Sequence, residues 1–410
     1  QLIDLDMASG STALNSLNIS GAGGTSSVQV RLNNIGDLDF TNISGDIVYS
    51  GSQLSFSTTE LNWSGANQNS NAISNYINIS VSDYVINGKI FNIPVFITSE
   101  NTSYEQTVNL QITAGDVTTF DPLGPDSYGY YIYDNTDTGY DLAPIYDWVE
   151  ISETGTYLSQ IYDGGNNQDK STTISLPFIF TFYGLDYEEI TICSNGWISF
   201  GRTTLESFRN YPIPGTGGAS PMVAGFWDDL EDGQTYYQYD SENERFIIQW
   251  DDQELYYDNS YSNTFQIILY NTDTEVITGD DEILIQYKDF NNESEGYYPV
   301  GNYEGAVVHG QYASVGIEDH TGLDGLEYTF NDDYPTAAAR LSDNSAIFIT
   351  TRDNSSYLIG DINQDSDINI LDVVAIVNIV LNMNGDFDNI TAYQEYVSDI
   401  NQDSTINILD

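Results

Sequence analysis

Two stretches of the chain, DINQDSDINILD (361–372) and DINQDSTINILD (399–410), are the same twelve residues with one change. In each, side chains that carry oxygen recur at positions 1, 3, 5, 7, 9 and 12, and isoleucine or leucine fills most of the places between. A hard cation such as calcium collects six to eight oxygens, and a twelve-residue loop can supply them from those six positions, the seventh through its main-chain carbonyl. The first set is Asp361, Asn363, Asp365, Asp367, Asn369 and Asp372; the second is Asp399, Asn401, Asp403, Thr405, Asn407 and Asp410. The chemistry expected of them is capture of one Ca2+ per loop. The intervening Ile362, Ile368, Ile370 and Leu371 are free to face a core.

The segment GDINQDSDINILDVVAIVNIVLN, with its second copy, resembles a type I dockerin, a module of duplicated loop-helix segments that each hold a calcium ion. The resemblance covers residues 359–410 and implies that Ca2+ organises the fold, position 9 acting through water, as in small metallo-domains that are unfolded without their ion. Three features depart from it. Position 6, where a glycine usually makes the sharp turn, is Ser366 and Ser404. Positions 10 and 11, which carry partner recognition in cellulosomal dockerins, are Ile370-Leu371 and Ile408-Leu409. That apolar pair argues against an ordinary cellulosomal cohesin and for a hydrophobic contact, inside the module or with another chain. No exit helix follows Asp410, so either the natural chain continues or a neighbouring subunit supplies the contact.

Two further acidic stretches compete for the same chemistry. DNTDTGYD places Asp134, Asp137 and Asp141 in one glycine-containing loop, which reads as a calcium-stapled loop or as a turn whose carboxylates cap backbone amides. FWDDLEDG puts Asp228, Asp229, Glu231 and Asp232 behind a strand, as a calcium site or a solvated rim. Catalytic chemistry is poorly supplied. The two histidines, His309 and His320, lie in no HExxH motif and near no GxSxG elbow, so the chain is expected not to be an enzyme. Cys193 sits in a strand-like run and reads as a buried small hydrophobe, and Trp197, Trp227 and Trp250 read as core rather than a sugar-stacking platform.

Charge narrows the partners. Asp and Glu number 62 against 9 Lys and Arg, a formal net charge of -53 over 410 residues. Such a chain repels nucleic acid and anionic membranes and attracts cations. No run of 18 apolar residues occurs and Gln1 opens no signal peptide, so the chain reads as a mature, soluble, extracellular product. A lone cysteine excludes an internal disulfide and a cysteine-based zinc site.

The elements that must position these residues are mostly strands. From residue 1 to 115, runs such as SSVQVRLNN, NYINISVSDY and QTVNLQITAG alternate apolar and polar residues between Gly, Asn and Ser, the pattern of an antiparallel sandwich with one face of each sheet inward. This part resembles the immunoglobulin-like modules of secreted bacterial proteins. Residues 116–145 are rich in Gly, Pro, Asp and Tyr and read as a structured connection, the opening of a larger unit that extends to residue 350. Its runs LPFIFTFYG, ICSNGWISFG, AGFWDDL, FIIQWDD, FQIILY and VGIED resemble, across roughly residues 125–350, a nidogen-like β-sandwich. YGYYIYDNTDTGYDLAPIYDWVEI is similar to the lead-in of non-catalytic tails of secreted subtilisin-like and gingipain-like proteases. A polar linker, 351–358, leads to the dockerin-like module, where VVAIVNIVLNM and NITAYQEYV read as helices.

The fold expected is therefore mainly β: two antiparallel sandwiches followed by a small α-helical calcium module. The function expected is that of a calcium-binding structural or adhesion protein, docking to a cohesin-like partner or to copies of itself, with filaments as one form. The runner-up is a non-catalytic accessory region of a larger secreted hydrolase, such as a protease.

Overall fold

A computed structural model describes residues 12–164, 168–256, 258–271, 278–292, 312–353 and 370–382, with the single positions 360, 362, 368, 397, 398, 400 and 406; at 258, 259, 381 and 382 it describes backbone only. The protein is mainly β and divides into two compact units, one of residues 118–353 and one of residues 1–117 with 354–410.

In the first 117 residues the alternation seen in the sequence becomes geometry. Strand Lys89–Ser99 buries every second side chain, as do Phe40–Ile47 and Glu60–Ala66 apart from one break in each, at Thr41-Asn42 and Ser64-Gly65, because successive side chains of a strand point to opposite faces. These strands join Leu17–Ile19 and Glu105–Ala114 in a five-stranded sheet, accompanied by two three-stranded sheets. Between them lies one apolar core that includes Val30, Leu32, Trp63, Ile79, Val95 and Ile112. Trp63 satisfies its indole by donating to the Val30 carbonyl at 2.9 Å.

The unit 118–353 is built differently, since the central strands of both its sheets are covered on both faces, as in Met222–Trp227 and Glu282–Asp289. A six-stranded sheet runs from Ser171–Phe182 through Leu185–Cys193, Trp197–Phe200, Met222–Trp227 and Ser314–Glu318 to Gly325–Thr329. An eight-stranded sheet holds, in order, Tyr131–Asp134, Ser345–Thr350, Glu282–Asp289, Asp258–Tyr270, Arg245–Leu255, Gln234–Asp240 and Thr156–Tyr157, with Leu230–Glu231 paired beside Arg245–Leu255. The main core lies between the sheets, where Phe226, Trp250, Phe265 and Tyr287 are fully buried; Trp250 stacks on Phe265 at 5.0 Å. A second cluster, around Cys193, Trp197, Met222 and Trp227, packs the outer face of the six-stranded sheet. Trp197, Trp227 and Trp250 are core residues, and burial pushes the Cys193 thiol upward in pKa, as expected of a buried hydrophobe.

The outer face of the eight-stranded sheet is covered by the extended segment 145–151. Gln249, Gln266 and Gln286 stand opposite one another on three neighbouring strands and are all fully buried. Gln286 accepts from the Asp147 N–H at 2.7 Å and donates to its carbonyl at 2.9 Å. Gln266 donates to the Val149 carbonyl, and Gln249 accepts from the Ile151 N–H at 3.2 Å. Three side-chain amides thus hold alternate residues of a strap that runs across the strands, and Ile151 seals it onto Ile247, Ile268, Leu284 and Ala346. Burial on both faces explains why runs such as FIIQW and FQIIL read as continuous apolar segments rather than alternating ones.

The expected connection 116–145 differs in one respect. Its YIYD stretch, Tyr131–Asp134, is a strand at the end of the eight-stranded sheet, paired antiparallel with Ser345–Thr350. All four of its residues are buried, which removes the alternation that would have marked it in the sequence.

Near the end of the chain, Ile370–Asn382 is a helix, three residues earlier in start than the apolar run Val373–Met383 suggests. The second expected helix, over NITAYQEYV, falls outside the described residues except for Val397, which is helical together with Ser398. None of the described helices is long and apolar enough to cross a membrane.

Candidate functional site

Of the first calcium loop, Asp372 at position 12 is described; Asp361, Asn363, Asp365, Asp367 and Asn369 lie outside the described residues. So do all six liganding positions of the second loop, Asp399, Asn401, Asp403, Thr405, Asn407 and Asp410. The Asp372 carboxylate is 1% exposed, and its Oδ1 accepts the N–H of Ile362, position 2 of the same loop, at 3.0 Å. The last carboxylate of the dodecamer is thereby turned back onto its beginning. Gly360, immediately before the loop, has φ +97°, a conformation that costs a glycine little. Its N–H donates to the Val397 carbonyl at 2.8 Å, so the backbone just ahead of one dodecamer is bonded to the backbone just ahead of the other. Ile362, Ile376 and Val397 form a small core with Ala375, Ile379 and Val380 packed on it.

The helix behind this loop is apolar on two sides. Ile376, Ile379 and Val380 face the small core, whereas Ile370, Val373, Val374 and Val377 are 70%, 50%, 51% and 47% exposed. Their i, i+3, i+4, i+7 spacing makes them one stripe. Leu371, at position 11, is also exposed. The apolar pair at positions 10 and 11 therefore points away from the module's own core.

The loop containing Asp134, Asp137 and Asp141 is resolved by its hydrogen bonds. Asp134 Oδ1 accepts from Thr136 N and Oγ1, both at 2.7 Å, and Oδ2 accepts from Tyr328 Oη at 2.8 Å and Ala339 N at 3.1 Å. Asp137 Oδ2 accepts from Asp134 N at 2.8 Å. Asp121, from the preceding segment, accepts from Tyr140 Oη at 2.5 Å and from Thr118. Asp141 is exposed and apart from them. The carboxylates thus cap amides and hydroxyls, the arrangement of the turn reading, and the three expected ligands do not form a set. Among the described residues no group of three or more His, Cys, Asp or Glu side chains could hold a metal ion. Asp137 Oδ1 is buried with no hydrogen-bond partner, and burial, reinforced by the charges of Asp134 and Asp121, pushes Asp137 up to about 8.

Other expected residues find ordinary places. His320 is exposed beside Asp319, with Nδ1 3.9 Å from its Oδ2, while His309 lies outside the described residues.

The sheets and covering segments of the unit 118–353 coincide with a recognised family. A family model described as NIDO related matches residues 140–358, more than half of the 410. The chain belongs to the NIDO-related family. That places the larger sandwich among modular β domains of the extracellular type, and agrees with the nidogen-like resemblance of the sequence. Solved structures give weaker likenesses. The PapD-like domain 7 of human CEP192 is 11% identical, covers 27% of this chain and 87% of its own, and has a TM-score of 0.19. WR4, an MSP family member from C. elegans, is 9% identical, with 25% and 97% covered and a TM-score of 0.18. The YadV chaperone is 9% identical, with 56% and 94% covered and a TM-score of 0.19. Scores at this level carry no structural argument for the chain.

Sequence reasoning missed three features of the unit 118–353: the Tyr131–Asp134 strand, the glutamine row under the strap, and the buried carboxylates. A signal for the second was present, since FIIQW, FQIIL and LIQY each place one Gln inside an otherwise apolar run.

Proposed function

We propose that this NIDO-related protein is a non-enzymatic, extracellular, calcium-binding structural or adhesion protein, whose dockerin-like tail folds on Ca2+ and docks to a protein. The single observation that carries the reading is the stripe Ile370, Val373, Val374 and Val377, exposed on the helix that directly follows a loop whose last carboxylate is buried and turned inward. An apolar face beside a metal loop couples two events, because the ion orders the helix and the ordered helix presents the face. The ions would be held by Asp361, Asn363, Asp365, Asp367, Asn369 and Asp372 in one loop and by Asp399, Asn401, Asp403, Thr405, Asn407 and Asp410 in the other. Calcium supplies the positive charge that lets these carboxylates converge; the chain supplies their spacing and the apolar core behind them. The partner is a cohesin-like protein or another copy of this chain, and contact between copies that does not close on itself gives filaments.

The test is a calcium titration of the full chain, following helicity by circular dichroism and particle size by light scattering, with Asp361→Ala/Asp399→Ala and Val374→Glu variants alongside. Calcium is expected to raise helicity in the parent and in Val374→Glu and not in the double variant, while association is lost in both variants. Assemblies that survive complete calcium removal, or helicity indifferent to calcium, overturn the reading.

A further inference from the structure

The acidic stretch FWDDLEDG is not absorbed by that function, and its surroundings differ from those of the capped turn at Asp134. Asp228 and Asp229 make the turn between strands Met222–Trp227 and Leu230–Glu231. The Asp228 side chain is 6% exposed and folds back toward its neighbour, Oδ1 accepting the Asp229 N–H at 2.8 Å. Its second oxygen, Oδ2, is buried and has no hydrogen-bond partner. Asp229 uses its main chain in the corner, its carbonyl accepting from Tyr256 N at 3.0 Å, which leaves its carboxylate for another partner.

The fold adds negative charge to this corner. Asn195, fully buried, bonds it from beneath, accepting from Leu230 N at 3.0 Å and donating to Asp169 Oδ1 at 2.9 Å. The Asp163 carbonyl accepts from Asp232 N at 2.7 Å, which brings a further acid alongside. Lys170, the base that acts on Asp169, has its ammonium 4.0 Å from Glu206. A buried carboxylate oxygen without a donor is costly unless a cation or water meets it.

We propose that this corner of the NIDO-related domain binds one divalent cation of the calcium and magnesium class, held by the carboxylates of Asp228 and Asp229 and keeping part of its water. Partial hydration is part of the proposal: among the described residues no group of three or more such side chains could hold an ion, and hard cations are commonly held by one or two carboxylates with the remaining sites filled by water. Asp163, Asp169 and Glu231 act as an outer field that attracts the ion without touching it.

The site is independent of the dodecamers, and its test keeps the two apart. In full-length protein carrying Asp361→Ala and Asp399→Ala, terbium is titrated as a calcium probe with excitation of tryptophan. Trp227 precedes Asp228, and residues 359–410 contain no tryptophan. The expected result is saturable sensitised emission at one terbium per chain, competed by Ca2+, with affinity at least tenfold weaker in Asp229→Asn and lost in Asp228→Asn/Asp229→Asn. Asp229 is only half-buried, so its single variant decides the matter even if the double variant is altered in fold. Absence of the emission in the parent, or its persistence unchanged in Asp229→Asn, overturns the proposal.

Discussion

Asp137→Asn in the unit 118–353 should make the protein more stable at high pH and leave it nearly unchanged at low pH. The Asp137 carboxyl is fully buried, one oxygen takes the Asp134 N–H, and the other has no partner. Its folded pKa is raised to about 8, whereas an aspartate in an unfolded chain titrates near 3.9. A group whose pKa is raised by folding favours the folded state fully below the unfolded value. That contribution falls as pH rises, and it is gone once pH passes the folded value. About four pH units at about 1.4 kcal/mol each set a ceiling of about 6 kcal/mol, and relaxation or water entry would reduce it to roughly 2–6 kcal/mol.

Asparagine keeps the acceptor for Asp134 N–H and places a neutral amide where the unpaired oxygen was, so its burial cost is comparable to that of the protonated acid and does not change with pH. The measurement is chemical denaturation of wild type and variant at pH 4, 6 and 8.5 in chelator, read by tryptophan fluorescence. Three of the fully buried tryptophans, Trp197, Trp227 and Trp250, report on the same unit as Asp137. The stability difference should open between pH 4 and 8 and be largest at 8.5. Parallel pH profiles would refute the reasoning. So would a variant that is less stable than wild type only when calcium is present, because that outcome requires Asp137 to be a metal ligand rather than part of a capped turn.

Gly196→Ala should cost at least about 3 kcal/mol, since Gly196 has φ +76° and an added Cβ would lie 1.9 Å from the Phe226 carbonyl oxygen; denaturant midpoints measure it. Gln286→Ala removes both hydrogen bonds that hold Asp147, leaving the strap to open at a cost of roughly 1–3 kcal/mol; limited proteolysis should then cut within 145–151 faster than in wild type, with the core strands still protected. Trp250→Phe loses the indole bond to the Cys193 carbonyl at 2.9 Å together with ring area stacked on Phe265, and should lower stability by roughly 1–3 kcal/mol in a thermal melt.

How far the sequence exposes this architecture depends on how many faces of each sheet are covered. In the first 117 residues one face of each strand is wet, so Lys89–Ser99 shows period-2 burial, and its sequence, KIFNIPVFITS, is apolar at each buried position from Phe91 to Ile97, although Ile90 and Phe96 stand on the exposed face. In the NIDO-related domain the central strands are dry on both faces and the period disappears there; they remain recognisable as short apolar runs between turns, but the layer that dries the second face does not. The strap 145–151 has no periodicity of its own because its register is set by side chains of other strands, Gln249, Gln266 and Gln286, more than ninety residues away. Tyr131–Asp134 was hidden for the same reason.

The acids divide along a related line. In the dodecamers the oxygen-bearing residues recur at fixed spacing, and spacing is a property a sequence displays directly, so the expectation of calcium chemistry there rests on the letters alone. Asp121, Asp134, Asp137 and Asp228 sit in stretches that look like many other acidic turns of this chain, yet each is less than a tenth exposed. What distinguishes them is which donors the fold brings to their oxygens: four donors for Asp134, and for Asp228 one donor and one bare oxygen. A carboxylate saturated with N–H and O–H donors has its charge spread over them and holds a turn. One left half-satisfied keeps an unmet attraction for positive charge. The count of donors per buried oxygen, which only the folded chain supplies, sets Asp134, with both oxygens met, apart from Asp137 and Asp228, each with one oxygen bare.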